Sequence, residues 1–142
     1  MYLLFTINNN YYAISTNLIR EITKFQDFTY VPKTNTLVDG IIKIRNTIAS
    51  VIDLRRILYD KVQNDGHFIV VKQNSKLYAF GIDNVLRIVN ISDQDLEDVA
   101  IPIMINNKKF QPKVGKYNEI LFYILDNLIE HMISQGEEKI NH

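Results

Sequence analysis

The feature that most limits what this chain can become is that it repeats itself. Tyr2–Ile7 and residues 11–14 are apolar runs separated by Asn8-Asn9-Asn10, and FIVVKQNSKLYAFGIDNVLRIV, starting at Phe68, restores the same plan. At an offset of 66 positions, Val71 falls on Phe5, Asn74 on Asn8, Tyr78 on Tyr12, Ala79 on Ala13, Phe80 on Ile14, Val85 on Ile19 and Ile88 on Ile22. The ends match too, since ILFYILD at 120–126 follows the plan of 48–53 at an offset of 73. The second copy is therefore about seven residues longer, an excess that the irregular stretch 91–112 accommodates. Short strands at close spacing with turn signals between them predict small antiparallel barrels. Chains of about 60 residues bury only around 60% of their unfolded surface. Two half-length units are thus expected to share one core, sealed by a C-terminal helix.

Local signals fill in each copy. Asparagine tolerates the positive φ of tight turns, which makes the first two runs a hairpin. After Ser15, Thr16 and Asn17, which are cap-type residues, Leu18, Ile19 and Ile22 stand at helical spacing with Arg20 and Glu21 opposite. This predicts a short helix or tight turn, with Ile19 and Glu21 on different faces, and the same pattern recurs at Val85 and Ile88. Residues 28–31 read as extended until Pro32, and 33–39 as a polar connection. In GIIKIRNTIASVIDLRRIL (40–58), two β-branched runs flank Arg45-Asn46-Thr47 and predict a hairpin with a charged tip. Asp53 then stands where it would cap a short helical turn. Residues 59–66, ending Asn-Asp-Gly, form a linker. Ser92 and Asp95 are spaced like a variant capping box, and Pro102 and Pro112 act as breakers. Leu128, Ile129, Met132 and Ile133 describe a helix face, Gly136 marks the expected stop, and the polar tail 137–142 is expected to fray.

Composition narrows function by exclusion. Sixteen basic and sixteen acidic side chains among 142 residues leave no net field to draw the chain to nucleic acid or an anionic membrane. The absence of cysteine removes disulfides, thiol catalysis and sulfur-ligated zinc, and suits a reducing compartment such as the cytoplasm. MYLLFTINNN reads as a strand start rather than a signal peptide, and no run approaches the roughly 20 apolar residues that span a bilayer.

His67, His131 and His142 lack the spacing of a metal site. Asp53 and Asp83 are conceivable as paired carboxylates, but a cap and a turn account for them more simply. The five glycines are dispersed, with no phosphate cradle. A base-stacking barrel is a remote alternative: its only basic cluster is Lys108, Lys109, Lys113 and Lys116, and the aromatics lie within strands. Arg45, between two apolar runs, is the kind of residue that anchors a partner through a fork of hydrogen bonds, although a solvated turn arginine accounts for it equally well on physics alone.

YLLFTINNNYYAI at the start, LIREI at 18–22, VPKTNTLVDGIIKIRNTIASVIDLR at 31–55 and FGIDNVLRIV at 80–89 together resemble the CheW-like chemotaxis coupling proteins over almost the whole chain. Where that family usually has glycine after the hairpin arginine this chain has Asn46, and Ser50 replaces a usual proline. The resemblance implies a mainly β, CheW-like fold: two five-stranded antiparallel, Src-homology-like barrels sharing a core, with short helices and a C-terminal helix. It implies a single domain, 1–142, with subdomains near 14–66 and 67–120 and terminal segments open to exchange between them. It implies a non-enzymatic, cofactor-free cytoplasmic adaptor, recruited to membrane-associated receptor arrays without entering the membrane. The partners would be a chemoreceptor tip and the regulatory domain of a CheA-like histidine kinase. By the same resemblance Ile19 is a receptor-facing apolar position in the groove between barrels, Glu21 and Ile22 belong to a kinase-facing edge, and Arg45 is the interaction arginine. A scaffold of another signalling array, controlling pili or development, or a homologue keeping one partner, is the alternative within the family.

Overall fold

The computed structural model describes residues 1–32, 37–99, 101–105 and 107–140, the side chains of 136–140 excepted. Most of the polar connection predicted at 33–39, and the last two tail residues, lie outside the described residues.

In chain order the strands are β1 (Tyr2–Ile7), β2 (Asn10–Ser15), β3 (Ile19–Lys24), β4 (Thr29–Tyr30), β5 (Gly40–Ile44), β6 (Thr47–Asp53) and β7 (His67–Gln73). They continue with β8 (Lys76–Ile82), β9 (Asn84–Val89), β10 (Glu97–Asp98), β11 (Ile103–Ile105), β12 (Lys108–Phe110), β13 (Lys113–Tyr117) and β14 (Ile120–Ile124). Helix α1 (Leu54–Tyr59) follows β6, and α2 (Asp126–Ile140) follows β14. Two six-stranded sheets result, sheet 1 in the order β10-β13-β14-β2-β1-β9 and sheet 2 in the order β3-β7-β8-β6-β5-β4. Five long strands per sheet match the expected count. A two-residue strand, β10 or β4, adds a sixth at one edge, and neither sheet is a closed barrel. Nor is either sheet wholly antiparallel, because β14 pairs β2 and β6 pairs β8 in parallel. Each hairpin of the repeat has inserted beside the last strand of the opposite half.

Among the described residues, four hairpins turn on two residues that both have positive φ: Asn8-Asn9, Arg45-Asn46, Asn74-Ser75 and Asn118-Glu119. Two-residue loops of that kind match the right-handed strand twist, and asparagine is the non-glycine residue that enters this region most readily. Asn46, at φ 67°, thus fills the conformation for which glycine is the usual solution.

Of the short helix or tight turn expected after Ser15, the turn is what forms, and it ends before Ile19. Only Thr16–Leu18 forms a 3-10 turn; Ile19 and Ile22 lie on β3, and Val85 and Ile88 lie on β9. β-branched residues favour strands, and pairing of β3 with β7 and of β9 with β1 settles a pattern too short to distinguish the two periods. Ile19 and Glu21 do fall on opposite faces, but of a strand: a register irregularity between them sets Ile19 beside Val71, which faces the core between the sheets, and Glu21 beside Val70, which faces the other way. Helix α2 also runs through Gly136 to Ile140, since one glycine costs only about 1 kcal/mol and Glu-Glu-Lys after it are good helix formers.

The inner strands β1, β2, β7 and β8 are covered on both faces, which explains why they read as nearly continuous apolar runs, whereas β3 and β5 alternate with exposed residues and β9 is mostly exposed. Leu3, Phe5, Ile7 and Ile14 of sheet 1 meet Ile52, Ile69, Phe80 and Ile82 of sheet 2 in one core with Leu128, Ile129, Met132 and Ile133 of α2. The other faces roll around smaller clusters, Leu4, Ala13, Val89 and Phe122 in sheet 1, and Ile42, Val51, Phe68, Val70 and Ala79 in sheet 2. An arginine draws each roll together: Arg45 meets Glu21 in sheet 2, and Arg87 lies 5.1 Å from the centre of the Tyr117 ring in sheet 1.

Candidate protein-binding surface

The β5–β6 turn holds Arg45 at the rim of sheet 2, and the roll of that sheet brings the turn to β3. Arg45 Nε donates to both Glu21 carboxylate oxygens, at 3.0 and 3.3 Å. The Arg45 side chain stays 82% exposed while that of Glu21 is 19% exposed. Glu21 therefore steadies the arginine and leaves most of it in water, where a partner can reach it. Ile22, next after Glu21 on the sheet-edge strand β3 but paired with Ile69 on the other face, and Ile48, just past the turn, are both exposed. Ile41, Lys43 and Ile48 also line a shallow groove with Asp27, Phe28 and Thr29. Ile19 is half-buried and packs against the shared core. The structure thus joins Glu21 and Arg45 directly, sets Ile22 on the same edge strand, and keeps Ile19 apart from them, toward the core between the sheets.

The repeat carries this exposed apolar character to sheet 1, where Ile88 and Leu121, the counterparts of Ile22 and Ile48, are exposed as well. Sequence periodicity could have found this pair, because both offsets point to it.

Away from this rim lies a buried ionic cluster that the sequence did not reveal. Asp53 caps α1 as expected, accepting from the Arg55 amide at 3.0 Å. The Arg55 side chain, only 1% exposed, turns back and grips the same carboxylate through Nε and Nη2 at 3.0 and 3.1 Å. Its Nη1 reaches Asp83 at 3.3 Å and the Asp65 carbonyl at 2.6 Å. Burial by itself would lower the guanidinium's pKa; bonding to Asp53 and then Asp83 outweighs it and holds the group above its ordinary value. Asp53 and Asp83 do converge, on a cation that neutralises both, so the acid/base pairing weighed above has no free carboxylate pair to use. The motif Asp-Leu-Arg carried the signal, but nothing in one sequence distinguishes a buried arginine from a solvated one.

A cleft of about 330 Å³ lies between Phe28, Tyr30, Val38 and Val62, with Asp39 and Arg56 also lining it. Those two charges are paired to each other. Among the described residues no group of three or more potential ligands is placed to hold a metal ion, and no helix is long and apolar enough to cross a membrane. Of the basic cluster, Lys113 pairs with Asp98 and Lys116 with Glu119, which dilutes any groove for a nucleic-acid backbone.

The family model for the CheW-like domain matches residues 1–133. The chain belongs to the CheW-like family. It is 31% identical over 124 residues to chemotaxis protein CheW of Helicobacter pylori, covering 85% of this chain and 74% of that one. It is 27% identical to chemotaxis protein CheW of Thermotoga maritima over 132 residues, covering 90% and 86%. In structure it resembles the scaffolding protein TtCheW of Thermoanaerobacter tengcongensis, with a TM-score of 0.73 at 21% identity, covering 87% of this chain and 81% of that one. The CheW-like family is one of non-enzymatic chemotaxis scaffolds, and the mainly β architecture of two sheets and a C-terminal helix is its fold.

Proposed function

We propose that this CheW-like chain couples the cytoplasmic tip of a chemoreceptor to the regulatory domain of a CheA-like histidine kinase, without chemistry of its own. The observation that carries the reading is the Arg45–Glu21 pair, an exposed guanidinium held in place by a half-sheltered carboxylate, with the exposed apolar residues Ile22 and Ile48 close by along the chain. An arginine ordered in advance loses less freedom on binding, and apolar neighbours supply the area that a fork of hydrogen bonds lacks. Ile19, half-buried beside the core between the sheets, is suited to accept the apolar side of a receptor helix. Glu21, Ile22 and Arg45 form the edge offered to the kinase. The chain acts in the cytoplasm, where receptor tips gather, and reaches the membrane only through them.

Co-sedimentation with a kinase regulatory domain and a receptor-tip fragment, separately and together, tests this. Capture by each, and enhanced capture when both are present, is expected. Binding to neither would refute the proposal.

A further inference from the structure

The chain crosses from sheet 2 to sheet 1 at a single residue, Asp83, between β8 and β9. All four of its polar backbone and side-chain positions are engaged. Its amide donates to the Thr6 carbonyl of sheet 1 at 3.0 Å, and one carboxylate oxygen accepts the Asn8 amide of sheet 1 at 2.7 Å. The other oxygen accepts from Arg55, which is anchored to Asp53 at the end of sheet 2, and its carbonyl lies 3.2 Å from Nδ1 of His67 on β7. Two glycines make room for the assembly. A Cβ on Gly66 would lie 2.8 Å from Arg55 Nη1, and one on Gly81 would lie 2.8 Å from the Asp53 carboxylate carbon. A crossing needs only a turn; here it carries a charge bonded to both sheets and neutralised by a buried arginine.

The geometry points to Asp83 and Arg55 as a pin that fixes the angle between the two sheets. Apolar contacts in the shared core are tolerant of sliding, whereas charge-assisted hydrogen bonds have defined lengths and directions. Asp83 holds sheet 1 through backbone groups and sheet 2 through Arg55; the bonds of Tyr59 to Asn10 and Tyr12 and of Lys61 to Asn8 join side chains only, so release of either Asp83 bond loosens the sheets at the crossing itself. The other crossing, Thr16–Leu18, leads straight into Ile19. Building on the adaptor reading above, the pin makes the two sheets move as one body and so fixes the crease between them beside Ile19 for a receptor helix, whereas Glu21, Ile22 and Arg45 all belong to sheet 2 and keep their relative places without it.

The chain has no native cysteine, which lets spin labels be placed at will. One pair, introduced by Lys43→Cys on sheet 2 and Lys116→Cys on sheet 1, reports the angle between sheets. A second pair, Lys43→Cys with Lys72→Cys, lies within sheet 2 and controls for general loosening. In otherwise unmodified protein both pairs are expected to give one narrow distance. Asp83→Asn, and separately Arg55→Lys, is expected to broaden the first distribution and leave the second unchanged. An unchanged first distribution, or equal broadening of both, would overturn the inference. Should neither variant fold, hydrogen exchange in the unmodified protein decides: the turn amide of Asn8 is expected to be as protected as a core strand amide, and exchange at an open-turn rate would refute the pin. The same variants are then compared for affinity to the receptor tip and, separately, to the kinase regulatory domain. Receptor-tip affinity is expected to fall ~5-fold or more while kinase-domain affinity stays unchanged; an equal fall in both, or in neither, would count against the pin. Absence of binding by the unmodified protein would sink the adaptor reading, while the label distances still judge the pin.

Discussion

Replacing Gly81 by alanine isolates the ionic cluster with one methyl group. In a strand interior alanine gains roughly 0.5–1 kcal/mol over glycine from backbone entropy, so bulk propensity predicts a small stabilisation. Geometry predicts the reverse. The new Cβ would lie 2.8 Å from the Asp53 carboxylate carbon and 2.9 and 3.1 Å from its oxygens, and Gly81 pairs with Asp53 in the parallel ladder, so the two backbones cannot simply part. Overpacking of this kind costs about 1–3 kcal/mol, and a displaced Asp53 also weakens the α1 cap by about 1 kcal/mol and its grip on a buried arginine. A net loss of about 3 kcal/mol is expected, equivalent to a fall in Tm of about 10 °C for a chain of this size. Urea unfolding followed by circular dichroism reads it as a lower midpoint at constant slope. A double-mutant cycle with Asp53→Ser, a smaller residue that still caps, tests the cause: the alanine should then cost less than about 1 kcal/mol. An unchanged midpoint, or the same cost in both backgrounds, would refute the reasoning.

Other expectations follow from single contacts. Arg45→Glu removes an ion pair whose arginine is mostly in water, so stability should change by no more than about 1 kcal/mol, while titration calorimetry with the kinase regulatory domain should show affinity falling ~10-fold or more. At the same turn, Asn46→Gly should stay within about 1 kcal/mol of the parent in urea, whereas Asn46→Val, β-branched at φ 67°, should lose roughly 1–2 kcal/mol. Burial raises the Asp126 carboxyl above its ordinary 3.8, against the opposing bond from the Ser15 amide. The folded state therefore holds that proton more tightly than the unfolded chain, and its contribution to stability falls as pH rises from about 3.8 through the raised value. Urea midpoints of Asp126→Asn should lack that fall. Tyr2 is pushed up to about 12 by burial and then by its bond to Asp93, so unfolding becomes easier as pH climbs from 10 toward 12. Tyr2→Phe should flatten this alkaline slope in the same assay.

Much of this molecule is written locally. The offsets of 66 and 73 paired the right strands, Asp53 sits at its cap, and Leu128, Ile129, Met132 and Ile133 are buried against both sheets. These features depend on near neighbours: turn residues that accept positive φ, a carboxylate two positions before a free amide, and a period of apolar residues. The segment after Ser15 shows where local reading stops. Leu18, Ile19 and Ile22 fit a helix as well as a strand over so short a span, and only the open edge of β7 chose between them. The exchange of hairpins that makes one pair in each sheet parallel belongs to the same class, since a repeat states what its units are and not which half they join.

The charged residues divide along the same line. Arg45 was legible because a turn between two apolar runs must lie at a surface. Arg55, two positions beyond a capping aspartate, carries no such mark, and its burial depends on Asp83, 28 residues away, arriving at the crossing between sheets. A sequence determines how each residue prefers to bend and whether it prefers water; it leaves open which distant charge will meet it once the chain closes. For this protein the strands, turns and caps were local decisions, whereas the union of Glu21 with Arg45 and the burial of Arg55 followed from tertiary structure, because electrostatic partners are set by distance in space.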